Sequence, residues 1–103
     1  MKVFNLKLPG SQNRWQLGKV VAVGRNFAEH AAELNNPLSE EPLLFIKPST
    51  SLVDMQKPLQ LPQNQGEVHY ELEIALLIGE QLTQASPEEA LSKVAGVGLA
   101  LDL

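Results

Sequence analysis

The chain has 103 residues, of which 44% are hydrophobic and 19% are charged, a composition that is typical of a globular domain and excludes a disordered chain. The formal net charge of −4 leaves no basic patch for nucleic acid or an anionic membrane surface. The absence of cysteine excludes disulfides, zinc–thiolate sites and a thiol nucleophile. The N-terminus lacks the apolar run of a signal peptide and no stretch is long enough to span a bilayer, so we expect no membrane partner and a cytoplasmic location.

The first predicted elements are two strands. Phe4, Leu6 and Leu8 alternate with polar residues, which indicates a half-buried strand that ends at Pro9-Gly10. Residues 19–23 (KVVAV) form a short apolar, β-branched run, which predicts a buried strand.

A short helix and a third strand follow. Asn26 and Glu29 have the spacing of a capping box, which predicts a helix over residues 27–34. Residues 43–47 (LLFIK) predict a strand that ends at Pro48.

The middle of the chain is rich in Pro, Gln and Ser. We interpret residues 49–66 as loops around a short strand near residues 59–61. Residues 67–78 (EVHYELEIALLI) give the strongest strand prediction of the chain, and Gly79 closes it.

A second helix and a last strand complete the chain. Ser86 as N-cap, Pro87 at the first helical position and Glu89 at the third predict a helix that runs to about residue 95, with Gly96 as its C-terminal cap. The last eight residues (GVGLALDL) predict a strand. The fold class is therefore mainly β with short helices (α+β), and the order of elements argues against a doubly wound parallel sheet.

Two carboxylates share one face of the strongest predicted strand. Side chains alternate along a strand, so Glu71 and Glu73 lie on one face together with His69. A solvated sheet face or a metal site would each explain the pair, and oxygen ligands of this type suit Mg²⁺, Mn²⁺ or Ca²⁺. A third acid, Asp102, stands in the apolar last strand, as a ligand or as an ordinary strand-end residue. The opposite face is the expected core face: Tyr70, Leu72, Ile74, Leu76 and Ile78.

The first predicted helix carries a possible general base. His30 and Glu33 are spaced i, i+3 and meet on one helix face, where the carboxylate would orient the imidazole, although a solvated surface pair has the same spacing. Lys47 and Arg25 are candidates for binding a substrate carboxylate, or are ordinary surface cations.

The motifs together resemble the fumarylacetoacetate hydrolase family. They are VVAVGRNFAEHAAEL, PLLFIKPSTSLV, GEVHYELEIALLIGE and EEALSKVAGVGLALDL, over about residues 19–103. The resemblance implies a mixed β-sandwich roll, usually a homodimer, with a small 2-oxo acid as substrate. It also implies that Mg²⁺ (or Mn²⁺ or Ca²⁺) is bound by the carboxylates of Glu71, Glu73 and Asp102.

The resemblance further implies roles for the remaining candidates. In hydrolytic members the positions of His30 and Glu33 form a dyad that activates water, on a helix belonging to a lid. Arg25 and Lys47 match family positions near the substrate. Position 27 is often Tyr in the family and is Phe here.

The family's catalytic domain is about twice as long as this chain, so we expect residues 1–103 to be the N-terminal half of a single catalytic domain, truncated after its third metal ligand. We expect this half alone to bind metal weakly and to be inactive.

The predicted function is a divalent-metal-dependent hydrolase that cleaves a C–C bond in acylpyruvate-like 2-oxo acids. The enzymatic alternatives are a decarboxylase or tautomerase of oxaloacetate-like acids and an isomerase in aromatic-acid catabolism. A non-enzymatic alternative is an inactive half-domain that serves as an interaction module. A cupin-like iron site built on His69 is a weaker alternative, since it needs a second nearby histidine.

Overall fold

The computed structural model of the protein describes residues 5–24 and 41–103. The chain divides into two compact units, Met1–Val53 and Asp54–Leu103, which are described separately. The helix predicted over residues 27–34 and its cap Asn26 lie outside the described residues.

The first unit contains four short strands in two antiparallel pairs. Strand β1 (Asn5–Lys7) pairs with β2 (Arg14–Gln16), and β3 (Val20–Gly24) pairs with β4 (Leu43–Lys47). The strands predicted over residues 19–23 and 43–47 are confirmed, the first with a shift of one residue.

Strand β1 confirms the alternation seen in the sequence. Leu6 is half-buried between two exposed neighbours. The chain then turns at Gly10, whose φ of +78° favours glycine, and the Ser11 N–H donates to the Leu8 carbonyl over 3.2 Å. Strand β2 was not predicted, because its sequence RWQ has a single apolar residue; Trp15 is placed by pairing with Leu6.

The prediction that residues 19–23 form a buried strand is wrong for the described structure. Strand β3 alternates between half-buried and exposed residues. Val21 lies opposite Ile46 in the register, and the two side chains are 57% and 63% exposed. Within the described residues β3 pairs only with β4, and one face of this pair is uncovered.

The segment between β4 and the next strand is mostly irregular. A single 3₁₀ turn, Ser49–Ser51, follows Pro48. The strand expected near residues 59–61 is absent, because Pro58 and Pro62 flank it and a proline has no N–H to donate to a neighbouring strand.

The second unit is built on one long antiparallel strand pair. Strand β5 (Glu71–Ile78) runs against β6 (Val94–Asp102), and helix α1 (Pro87–Ser92) lies in the connection between them. The predicted strand over residues 67–78 therefore begins four residues late. Residues 67–70 lie outside it because β6 ends at Asp102, directly opposite Glu71.

Helix α1 begins as predicted and ends earlier. The Ser86 hydroxyl accepts a hydrogen bond from the Glu89 N–H over 3.2 Å, with Pro87 at the start of the helix. The predicted C-terminal cap at Gly96 is wrong, because Val94 already pairs with Ile78 and is the first residue of β6.

The two ends of the connection are joined to each other. The Gly79 N–H donates to the Lys93 carbonyl over 2.9 Å. The Lys93 Nζ lies 2.6 Å from Glu80 Oε2. These contacts fix the positions at which β5 ends and β6 begins.

The β5–β6 pair has one apolar face and one face that carries the acids. We call the first the apolar face; it consists of three cross-strand pairs, Leu72 with Leu101, Ile74 with Leu99 and Leu76 with Val97. This was the expected core face, and that expectation is wrong for the described structure. Its side chains are between 43% and 75% exposed, whereas Glu71, Glu73 and Asp102 are half-buried.

The described fold is mainly β with little helix, as predicted. None of the helices in residues 5–24 and 41–103 has the length and apolar character needed to cross a bilayer.

Removal of the helix cap should destabilise the second unit measurably. Replacing Ser86 by Ala leaves the Glu89 N–H without its acceptor, and we expect the free energy of unfolding to fall by about 1 kcal/mol. Urea unfolding followed by circular dichroism measures it. Thr83→Ala, at an exposed position before the helix, is the control; an equal loss in both variants would contradict a capping role.

Candidate metal centre

The three predicted carboxylates meet at one end of the β5–β6 pair. One carboxylate oxygen each from Glu71, Glu73 and Asp102 can be chosen so that all three lie within 4.8 Å of one another. Glu71 opens β5 and Asp102 closes β6, so the cluster lies at the end of the pair opposite to the connection that carries helix α1.

The strand register brings these residues together. Glu71 and Asp102 are direct cross-strand partners, and Glu73 follows Glu71 on the same face, opposite Ala100. Directly opposed residues in an antiparallel pair have Cβ atoms about 5 Å apart, close enough for two short acidic side chains to converge. The sequence predicted the Glu71–Glu73 face from alternation alone, while the position of Asp102 depends on the pairing.

The electrostatics of the cluster favour a bound cation. Like charges directly opposite each other destabilise a sheet, and partial burial of Glu71, Glu73 and Asp102 weakens the screening by water. A divalent cation placed among the three would offset their mutual repulsion.

The donor set fits a hard divalent cation. Carboxylate oxygens are the ligands preferred by Mg²⁺, Mn²⁺ and Ca²⁺. With metal–oxygen distances of about 2.1 Å for Mg²⁺ and about 2.4 Å for Ca²⁺, two oxygens on the same ion are at most about 4 to 5 Å apart. The ligand oxygens lie within 4.8 Å of one another, which is about the limit for Ca²⁺ and exceeds the limit of about 4.2 Å for Mg²⁺, so the side chains would have to close by about half an ångström to hold Mg²⁺. Three protein ligands also leave coordination positions for water or substrate.

Small residues continue the same face beside the carboxylates. Ala100 lies opposite Glu73, and the next pair is Ala75 with Gly98. A Cβ atom built on Gly98 would meet no heavy atom within 4 Å, so the surface next to the acids is open. Alternation along β5 predicts Ala75 on the face of Glu71 and Glu73, and the alternation of β6 places Gly98, Ala100 and Asp102 on one face.

The remaining candidates are placed differently. Lys47 is the half-buried last residue of β4, opposite Val20, in the first unit. Arg25, His30 and Glu33 lie outside the described residues, and their roles stay predictions.

His69 is not one of the ligands in the cluster. It precedes β5, its side chain is 82% exposed, and its Nε2 lies 3.8 Å from Glu67 Oε2. The structure gives no support to an iron site built on His69, since the group found among the described residues consists of carboxylates only.

Comparison with known proteins identifies relatives over most of the chain. The family described as "Fumarylacetoacetate (FAA) hydrolase C-terminal" matches residues 19–103. Oxaloacetate tautomerase YcgM of Escherichia coli is 48% identical over 89 residues, which are 86% of this chain and 41% of that protein. A mitochondrial oxaloacetate decarboxylase of Dictyostelium discoideum is 40% identical over 91 residues, 86% of this chain and 42% of that protein.

A solved structure agrees with these sequence matches. A protein from Oleispira antarctica, described as a fumarylacetoacetate isomerase/hydrolase, superposes with a TM-score of 0.82 at 52% identity. The match covers 88% of this chain and 42% of that one. The chain thus spans less than half the length of the relatives it matches, and the three acids lie within the matched region. By sequence and by fold, the chain belongs to the fumarylacetoacetate hydrolase family.

Proposed function

We propose that this protein acts as a divalent-metal-dependent tautomerase or decarboxylase of oxaloacetate-like 2-oxo acids. The observation that carries the proposal is the convergence of Glu71, Glu73 and Asp102 within a chain that is 48% identical to an oxaloacetate tautomerase and 40% identical to an oxaloacetate decarboxylase. Because the chain covers 41% and 42% of these two relatives, the activity is transferred from them only as a proposal.

Glu71, Glu73 and Asp102 would hold Mg²⁺ or Mn²⁺ at the end of β5 and β6. When bound there, the cation would withdraw electron density from the 2-oxo carbonyl of the substrate and so favour reaction at the neighbouring carbon. The open surface at Ala75 and Gly98 leaves room beside the carboxylates for a small acid.

His30 and Glu33 are the proposed proton-transfer pair. Tautomerisation of a 2-oxo acid moves one proton from C3 to the keto oxygen on C2, which needs a group that accepts and returns a proton near neutral pH. An imidazole meets this requirement, and a carboxylate three residues further along the predicted helix would orient it. Arg25 and Lys47 are proposed to bind the substrate carboxylates.

Decarboxylation makes the same demand on these residues. In oxaloacetate the C4 carboxylate is β to the C2 carbonyl, so the C3–C4 bond can break with its electrons moving toward the carbonyl. A proton is then returned to C3, the atom that is deprotonated in tautomerisation. One arrangement of residues can therefore support either reaction.

Hydrolysis is the second candidate. A relative from Sphingomonas, named 2,4-didehydro-3-deoxy-L-rhamnonate hydrolase, is 41% identical over 87 residues. In a hydrolase, His30 and Glu33 would activate water for attack on a carbonyl carbon. Hydrolysis of acylpyruvates was the leading prediction from sequence; the names of the tautomerases and decarboxylases at 48% and 40% identity favour the alternative.

Metal binding can be tested on the 103-residue chain itself. A ligand that binds only the folded state at 100 times its Kd raises the free energy of unfolding by about 2.7 kcal/mol. We expect Mn²⁺ to raise the free energy of unfolding in this way in the wild type and not in Glu73→Gln. Urea unfolding with Mn²⁺ or with chelator measures the difference. Glu88→Gln, an exposed acid in the first turn of α1, is the matched control; an equal Mn²⁺ response in both variants would exclude Glu73 as a ligand.

The reaction can be tested in a chimera, in which this chain replaces the matched 89 residues of the Escherichia coli tautomerase. We expect tautomerisation of oxaloacetate, followed by the absorbance of its enol, or release of CO₂, to be faster than cleavage of an acylpyruvate. Chelator should stop the reaction and Mg²⁺ should restore it. Faster acylpyruvate cleavage would instead establish that the protein acts as a hydrolase. Activity that is unaffected by chelation would exclude the metal-dependent mechanism.

The proton-transfer pair predicts a separation between metal binding and turnover. In the same chimera, His30→Ala should lower kcat by about 100-fold or more while Mn²⁺ affinity is kept, because general acid–base catalysis contributes about that factor. Glu73→Ala should lose both Mn²⁺ binding and turnover. Release of the metal by His30→Ala would show that this histidine belongs to the coordination sphere rather than to proton transfer.

A further inference from the structure

The β5–β6 pair contains two registers that are joined by a bulge. Gly96 lies opposite Leu77, whereas Val94 lies opposite the next residue of β5, Ile78. Ala95 is therefore the extra residue of β6, and a bulge of this kind sets two residues of one strand against one of the other. The seven pairs on the side of the acids are one residue out of step with the pair at the other end.

Movement of the bulge along the strands would extend the second register to the end that carries the acids. Leu72 would then lie opposite Ala100 instead of Leu101. Glu71 would lie opposite Leu101 instead of Asp102. Because a shift of one residue turns a strand's side chains to the other face, Asp102 would move to the face of Leu72. The three carboxylates converge in the described register and would not converge in the shifted one.

The second unit specifies the described register only weakly. Register is strongly fixed where one face of a strand pair is buried, but the side chains of the apolar face are between 43% and 75% exposed. Gly96 and Gly98 have no side chain with which β6 could hold its place. The three apolar cross-strand pairs favour the described register, and each such pair contributes modestly.

We propose that the β5–β6 pair exchanges between these two registers, and that binding of a divalent cation selects the described one. The second part rests on the proposed metal centre, because only the described register brings Glu71, Glu73 and Asp102 together. A ligand that binds one of two conformations shifts the population toward that conformation. Loss of the cation would therefore take the centre apart by moving Asp102, while the strands stay paired.

Disulfide trapping distinguishes the two registers, since the 103-residue chain has no cysteine of its own. Leu72→Cys with Leu101→Cys reports the described register, and Leu72→Cys with Ala100→Cys reports the shifted one. Positions 72 and 100 lie on opposite faces in the described register, where their Cβ atoms point apart and cannot be bridged. Each variant is equilibrated in a glutathione redox buffer with Mn²⁺ or with chelator, and mass spectrometry measures its oxidised fraction.

We expect both disulfides to form with chelator. Mn²⁺ at 100 times its Kd should lower the equilibrium constant of the 72–100 disulfide by about tenfold or more, because binding confined to one state changes the ratio of states by about 100-fold. The 72–101 disulfide should persist. Adding Glu73→Gln, which removes a ligand, should abolish the effect of Mn²⁺ and controls for binding to the introduced thiols.

A second control separates a shifted register from strands that have come apart. Leu72→Cys with Gly98→Cys is directly opposed in neither register, so its disulfide reports unpaired strands. If the 72–100 disulfide were no more stable with chelator than the 72–98 disulfide, the second register would not exist. NMR spectra of the wild-type chain with chelator test the same point without any variant. A single set of β6 amide signals without exchange broadening would contradict the proposal.

The test also separates this proposal from the proposed metal centre. A 72–100 disulfide that is unaffected by Mn²⁺, in a chain that Mn²⁺ stabilises against urea, would exclude selection of the register and leave the metal centre intact. Absence of any stabilisation by Mn²⁺ would instead exclude the metal centre, and selection by a cation with it. The measurements with chelator decide the exchange between registers in either case.

Discussion

The register between β5 and β6 is the constraint on which the candidate site depends. Seven consecutive pairs, from Leu77 opposite Gly96 to Glu71 opposite Asp102, run without interruption. A shift of one residue would turn Asp102 to the opposite face of the pair, away from Glu71 and Glu73. The irregularity between Leu77 and Ile78 lies at the far end, where it absorbs the extra residue without disturbing the acids.

The two faces of the β5–β6 pair differ in character, since one is apolar and the other carries the acids. Apolar cross-strand pairs such as Ile74 with Leu99 occupy one face, whereas Glu71 and Asp102 add repulsion on the other. Direct opposition of two acids is a cost to the fold that a bound cation would offset. The strand pair therefore positions the three candidate metal ligands, and a cation bound among them would stabilise it.

Sequence patterns predicted those features that depend on neighbours along the chain. Alternation placed Glu71 and Glu73 on one face, and the Ser86-Pro87 start of helix α1 follows from local capping chemistry. The sequence patterns missed or misplaced the features that depend on the pairing of strands. The short β2, the late start of β5 and the early end of α1 all depend on which residue lies opposite which, and local sequence does not encode that register. Asp102 became a ligand candidate through family resemblance for the same reason.

The junction at Gly79, Glu80 and Lys93 has a consequence for how the chain tolerates changes in length. Its backbone hydrogen bond and ion pair close the connection at its base, so residues inserted between positions 80 and 93 would enlarge a loop and leave the strand pairing intact. A single deletion between Gly96 and Asp102 would instead carry the terminal acid to the wrong side of the sheet. Insertions and deletions that accumulate during evolution should therefore concentrate in the helical connection, while the spacing from Gly96 to Asp102 is preserved.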